Sequence, residues 1–114
     1  MRADLDAVGD LGQVPSVVGQ CAYRMVQEAL TNVVRHAPGA AATVRLEALE
    51  GRLRVEVTDR GGARAGVVSA PGGHGLVGMR ERVEALQGTL QAGPLAEGGW
   101  VVRASLPLRE GIGA

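Results

Sequence analysis

Four side chains at helical spacing carry the first chemistry legible in this chain. Arg24, Glu28, Asn32 and Arg35 follow one another at steps of four, four and three residues, which places them on one face of a helix. Gln27, Thr31 and His36 flank them. A carboxamide oxygen such as that of Asn32 suits a hard cation like Mg²⁺, which takes few protein ligands and keeps several waters. A carboxylate one turn away, Glu28, can accept a proton or orient an attacking group. An ordinary solvated helix face has the same spacing, and spacing alone leaves both readings open.

Two further places invite chemistry. Asp59 closes an alternating run and is followed by Gly61 and Gly62. A lone acceptor in an apolar niche can read an exocyclic amine such as adenine N6, and a neighbouring glycine lets a planar ring approach the backbone. An aspartate that merely starts a turn is the plain alternative. The third place is Gly73-His74-Gly75-Leu76-Val77-Gly78, a GxGxxG that opens a helix. Glycines there expose N–H groups, which favour phosphate. With 18 glycines in 114 residues, a chance match is nearly expected. No strand precedes it as a dinucleotide fingerprint requires. The absence of lysine excludes a P-loop.

The elements that must position these residues follow from periodicity. Pro15 suits a helix start, and Val18, Ala22, Met25, Ala29 and Val33 recur at helical spacing until Ala37-Pro38-Gly39 breaks the run. The pattern predicts a helix from Pro15 to Ala37, weakened near Gly19 by roughly 1 kcal/mol relative to alanine. Val44, Leu46 and Ala48, then Leu53, Val55 and Val57, alternate with polar residues around Glu50-Gly51-Arg52, a hairpin with one buried face. Residues 60–75, RGGARAGVVSAPGGHG, show no period, and such long connections in compact domains are often functional. Leu76, Met79, Val83 and Leu86 form one stripe of a second helix that Gly88 closes. Thr89 to Ala92 and Trp100 to Leu106 read as strands joined by the turn-rich GPLAEGG. Residues 3–13 are ambiguous: Ala3, Leu5 and Ala7 alternate, but Gly9 and Gly12 interrupt. The expected fold class is α/β (α+β), a two-layer sandwich with helices on one face of a mixed, mostly antiparallel sheet. Met25, Val26, Met79 and Val83 are expected in its core, and Cys21 as a small buried apolar group.

Size and composition bound the function. A chain of 114 residues supports one core, so residues 1–114 are expected as a single domain with its centre at about 15–108. Twelve Arg balance twelve Asp plus Glu, so the basic surplus of a general nucleic-acid binder is missing. No apolar run approaches the roughly 20 residues of a membrane helix. The N-terminus is acidic and lacks the apolar centre of a secretory leader. Cys21 is the single cysteine, which excludes an internal disulfide or a cysteine zinc cluster and suits a reducing, cytoplasmic setting.

In chain order these pieces are a carboxylate–carboxamide helix, a strand ending in Asp-x-Gly, a glycine-rich connection and a glycine-led helix. They are the parts of an ATP site: metal ligand, base reader, cover and phosphate cradle. In that order the chain resembles the ATP-binding catalytic domain (HATPase_c, the GHKL or Bergerat group) of bacterial two-component sensor histidine kinases. Within these it is similar to the subfamily paired with LuxR-type response regulators. The matching segments are YRMVQEALTNVVRHA (Tyr23 to Ala37), VEVTDRGG (Val55 to Gly62), GGHGLVGMRERVEALQG (Gly72 to Gly88) and GGWVVRASLPL (Gly98 to Leu108).

The resemblance implies the Bergerat fold, with about five strands, and roles for particular residues. Asn32 would hold Mg²⁺, and Glu28, as the catalytic residue, would orient or deprotonate the group attacking the γ-phosphate. Arg35 and His36 would lie near the phosphates. Asp59 would accept from adenine N6, with Gly61 making room for the ring. Gly73, His74, Gly75, Leu76 and Gly78 would shape the end of an ATP lid and the phosphate-facing helix start. The implied cofactors are ATP and Mg. The implied partners are a histidine-containing dimerisation domain of the same kinase and, indirectly, a response regulator. Neither nucleic acid nor membrane contact is expected of this domain, which by itself is expected to be a monomer in the cytoplasm or in the cytoplasmic part of a membrane-anchored sensor.

Two departures stand out: Ala63 occupies the last glycine position of the Asp-x-Gly-x-Gly box, and Trp100 stands where relatives often have a small or polar residue near the base pocket. Trp100 is expected to be ordinary strand packing. The two histidines, His36 and His74, both lie inside nucleotide-box matches, so the phospho-accepting histidine domain is expected to be supplied separately. A degenerate module acting in protein interaction and an anti-sigma-type protein-serine kinase are the alternatives.

Overall fold

The computed structural model describes residues 2–37, 39–60 and 73–108, with the backbone alone described at Arg2 and at 73–75. Five strands and two α-helices are formed: β1 (Arg2–Gly9), α1 (Ser16–His36), β2 (Ala41–Leu49), β3 (Arg52–Asp59), α2 (Gly73–Ala85), β4 (Thr89–Pro94) and β5 (Trp100–Pro107). The sheet order is β1-β2-β3-β5-β4. The ambiguous first segment is a strand. It lies parallel to β2, with Leu5 opposite Val44, and α1 supplies the long crossover that a parallel pair needs. All other pairings are antiparallel.

Periodicity explains α1. Val18, Cys21, Ala22, Met25, Ala29 and Val33 are its buried residues, and their three- and four-residue steps make one apolar stripe. Pro15 stands just outside as the N-cap, and its carbonyl accepts from Gly19 N at 2.9 Å. Arg35 and His36 in the last turn oppose the negative end of the helix dipole. The β2–β3 connection is a two-residue turn with both Glu50 (φ 55°) and Gly51 (φ 76°) left-handed, the geometry that matches strand twist.

The sheet has two unlike faces. Val44, Ala48, Leu53, Val55, Val57, Leu90, Val102, Ala104 and Leu106 form the core with α1 and with Met79 and Val83 of α2. Met25, Met79, Val83 and Cys21 are buried as the pattern expects, while Val26 is partly buried against the same cluster. On the opposite face a registered row crosses all five strands: Asp6, Arg45, Glu56, Arg103 and Gln91. Arg45 Nη1 lies 3.2 Å from Asp6 Oδ2, and Arg103 Nε lies 2.8 Å from Glu56 Oε2. These exposed pairs contribute at most about 1 kcal/mol each. They keep the helix-free face wetted and its charge locally balanced.

The end of α2 departs from the sequence expectation. Gln87, not Gly88, takes the left-handed position, with φ 69°. Gln87 N donates to Glu84 O at 2.9 Å and Gly88 N to Val83 O at 2.9 Å, the paired bonds of a Schellman cap. Gly88 is required for space: a Cβ there would lie 2.5 Å from Ser105 O and 2.9 Å from Leu106 Cδ2.

Candidate functional site

Several element ends converge at one edge of the core. The C-terminus of α1 feeds through a short connection into the start of β2, so Asn32, Arg35 and His36 lie at the end of the sheet where β2 begins. Antiparallel pairing brings the C-terminal end of β3 to that place, with Asp59 opposite Ala42. The same pairing brings the start of β5, with Trp100 opposite Asp59. The start of β4 lies at the far end, where Thr89 faces Ser105. The C-terminus of α2 leads there, so its N-terminus, Gly73, points back toward the Asp59 end.

Asp59 is the single buried charged side chain among the described residues, at 1% exposure. It sits where the core alternation of β3 would place a hydrophobe, in phase with Leu53, Val55 and Val57. On the core face it belongs to the registered row Ala3, Ala42, Asp59, Trp100 and Pro94, in which every other member is apolar. Its Oδ2 is buried and has no hydrogen-bond donor among the described residues. A buried carboxylate is rare in an apolar row and calls for polar partners, so this position is the strongest candidate for a polar recognition role among the described residues.

The predicted helix stripe divides in two. Glu28 and Asn32 are half-buried beside the core residues Ala29 and Val33, whereas Arg24 and Arg35 are exposed. The carboxylate and the carboxamide therefore border the core instead of standing on a fully solvated face. His36 is half-buried, and its Nε2 is buried without a hydrogen-bond partner among the described residues. Gly73, His74 and Gly75 form the first turn of α2, and Leu76 packs partly against the core. At Gly78 a Cβ would meet Arg82 Nη1 at an ordinary 3.7 Å, so packing with described neighbours does not explain a glycine there. Gly61, Ala63 and most of the predicted lid lie outside the described residues. Among the described residues no three or more His, Cys, Asp or Glu side chains cluster as a metal cage. A Mg²⁺ held by one carboxamide together with phosphates and water needs none.

Sequence reasoning missed one structural member of this region. Gly99, just before β5, has φ +102°, and a Cβ on it would lie 2.1 Å from Asp59 O and 3.2 Å from Arg60 Cα. The turn holding it is closed by Leu95 N donating to Gly99 O and Gly98 N donating to Leu95 O, both at 3.0 Å. Across the sheet, Arg60 N donates to Ala41 O at 3.3 Å. The backbone that carries Asp59 is thus held from both neighbouring strands. The Gly98-Gly99 pair at a strand start was the available signal, but its partner is some 40 residues earlier in the chain.

The fold is that of a known family of ATPase domains. Residues 19–110 match the family of histidine kinase-, DNA gyrase B- and HSP90-like ATPases, and the chain belongs to it. The sensor histidine kinase YxjM of Bacillus subtilis is 36% identical over 94 residues, covering 82% of this chain and 22% of its own length. The histidine-protein kinase/phosphatase DegS of Brevibacillus brevis is 31% identical over 105 residues, covering 92% of this chain and 27% of its own length. The chain thus spans about a quarter of the curated relatives it matches. Among solved structures, the blue-light activated histidine kinase of Erythrobacter litoralis EL346 superposes with a TM-score of 0.73 at 27% identity, over 94% of this chain and 37% of that one. The mixed five-stranded sheet with its helices is therefore that of histidine kinase ATPase domains. No described helix is long and apolar enough to cross a membrane.

Proposed function

We propose that this domain binds Mg-ATP and serves as the phosphoryl-donating part of a two-component histidine kinase, acting on a histidine of a separate dimerisation domain. The phosphoryl group passes from there to a response regulator, of the LuxR type by resemblance. The observation that carries this reading is Asp59: a carboxylate 1% exposed, in an apolar row, at the end of the sheet where α1 and α2 also converge. Its carboxylate would accept from the exocyclic amine of the base. Asn32 would hold Mg²⁺ through its side-chain oxygen, and Glu28, one turn earlier, would orient or deprotonate the attacking imidazole. Arg35 and His36 would face the phosphates, together with the first turn of α2 at Gly73, His74, Gly75, Leu76 and Gly78, where unsatisfied N–H groups favour anions. Bound ATP supplies the transferable γ-phosphoryl group, and the protein contributes positioning and charge stabilisation.

The domain by itself is expected to bind nucleotide as a cytoplasmic monomer and to transfer phosphate only when given the histidine domain. Thermal unfolding with ATP, ADP and GTP, with and without Mg²⁺, tests the reading. ATP and ADP should raise the midpoint, Mg²⁺ should add to the ATP effect, and GTP should do little. A midpoint unmoved by millimolar ATP or ADP overturns the proposal.

A further inference from the structure

We propose that Trp100 is a specificity-determining wall of the base pocket, selecting purine over pyrimidine nucleotides, while Asp59 separately selects amino over oxo bases. The inference rests on the nucleotide reading above and assigns a selective role to a residue expected to serve in strand packing.

Register makes the argument. Trp100 is the direct cross-strand partner of Asp59, and side chains opposite one another in an antiparallel pair have Cβ atoms about 4.5–5.5 Å apart on the same face. That face is the core face, because Val102, Ala104 and Leu106, in phase with Trp100, are buried. Trp100 packs against the core cluster yet stays half-buried.

The other neighbour of Asp59 is Ala42, 2% exposed. A ring that reaches the Asp59 carboxylate thus has a large aromatic surface on its β5 side and one methyl group on its β2 side. Pro94 stands beyond Trp100 on β4, and Gly99 fixes the backbone just before it against Asp59 O. The backbone that carries the indole cannot move away from Asp59 without breaking that contact.

The two residues divide the recognition. Asp59 accepts only, so it favours a base that presents an amine and disfavours one that presents a carbonyl. Adenine and cytosine both carry such an amine, and Asp59 alone does not separate them. Contact with an aromatic side chain grows with ring area and tolerates any base with a π-face. A two-ring base can meet the carboxylate and the indole together, whereas a one-ring base offers less surface to the indole. Trp100 then supplies affinity and the preference for purine.

The chain has one tryptophan, so its fluorescence reports on this position. Wild-type protein is titrated with Mg-ADP, Mg-GDP and Mg-CDP by calorimetry and by Trp100 emission, and Trp100→Phe and Trp100→Ala by calorimetry. ADP should change the emission with the midpoint found by calorimetry and should reduce quenching by acrylamide. Trp100→Ala should weaken ADP about tenfold and shrink the ADP/CDP affinity ratio by a similar factor, leaving the ADP/GDP ratio unchanged. Trp100→Phe should stay within about threefold of wild type. General damage to packing would weaken all three nucleotides alike, so equal weakening overturns the assignment. ADP heat without any change in Trp100 emission or accessibility also overturns it and leaves the nucleotide reading standing. This second test uses wild-type protein and does not depend on the folding of a variant. Absence of ADP heat in wild type removes the nucleotide reading and this inference with it.

Discussion

Gly99 lies with its α-carbon against the carbonyl of Asp59, so close that a Cβ would come within 2.1 Å of the oxygen. The buried carboxylate is therefore set by a backbone contact made from another strand. Gly99→Ala adds both a left-handed penalty of about 1–2 kcal/mol and a clash with immobile backbone. Urea unfolding should show a loss of about 2–4 kcal/mol, and ADP affinity should fall in the protein that remains folded. A loss below about 0.5 kcal/mol would contradict the close approach.

Asp59→Asn and Asn32→Ala should fail in different ways. Asparagine is nearly isosteric with the carboxylate, so the ligand-free variant should keep the wild-type fold, checked by circular dichroism. Its amide confronts an adenine amine with a donor in place of an acceptor in one orientation and loses the charge in the other, so stabilisation by ADP should drop at least tenfold in apparent affinity. Asn32→Ala should leave metal-free ADP binding close to wild type and remove most of the added effect of Mg²⁺ on ATP binding. Loss of the metal-free part in Asn32→Ala would place that side chain elsewhere in recognition.

The thiol of Cys21, 8% exposed, is raised above its ordinary value of 9.0, first by burial, with Arg82 acting in the opposite direction. The unfolded chain loses this proton at lower pH than the folded one. The thiol's contribution to stability is therefore complete below about pH 9 and is lost as pH rises through the folded value. Denaturant midpoints should fall from pH 8.5 to 10.5, and Cys21→Ala should flatten that slope. Thiol labelling of the native protein at pH 8 should be slow and should accelerate on unfolding.

Gln87, an exposed residue, occupies a left-handed position with φ 69°. Gln87→Gly should stabilise the protein by about 0.5–1 kcal/mol, the steric relief exceeding the added chain entropy. Gly88→Gln should destabilise it strongly, because Gly88 is packed against Ser105 O and Leu106. Chemical denaturation of both variants checks the assignment of the two adjacent residues.

Much of the architecture was legible because it is local. The four-residue recurrence from Val18 to Val33 specifies α1 to within a residue at each end, and alternation specifies β2, β3 and β5. The first strand was harder. Leu5 is 68% exposed, Ala3 and Ala7 are weak strand formers, and pairing with β2 lies some 40 residues away. The helix end at Gln87 was also hidden, because only contact with β5 makes Gly88 sterically necessary.

For the site, the sequence by itself determined which chemical groups exist and in what order: an amide and a carboxylate one turn apart, an aspartate ending a strand, glycines opening a helix. It also carried the family resemblance, which the match over residues 19–110 bears out. Tertiary structure decided which of those groups leave water. Glu28 and Asn32 border the core while Arg24 and Arg35 do not, and Asp59 is buried in a row with Ala42 and Trp100. Burial is a property of neighbours brought together by strand pairing, so no local pattern around Asp59 distinguishes it from a turn-starting aspartate. The register that sets Trp100 against Asp59, and Gly99 against its carbonyl, joins residues about 40 positions apart, and only the assembled sheet sets that distance.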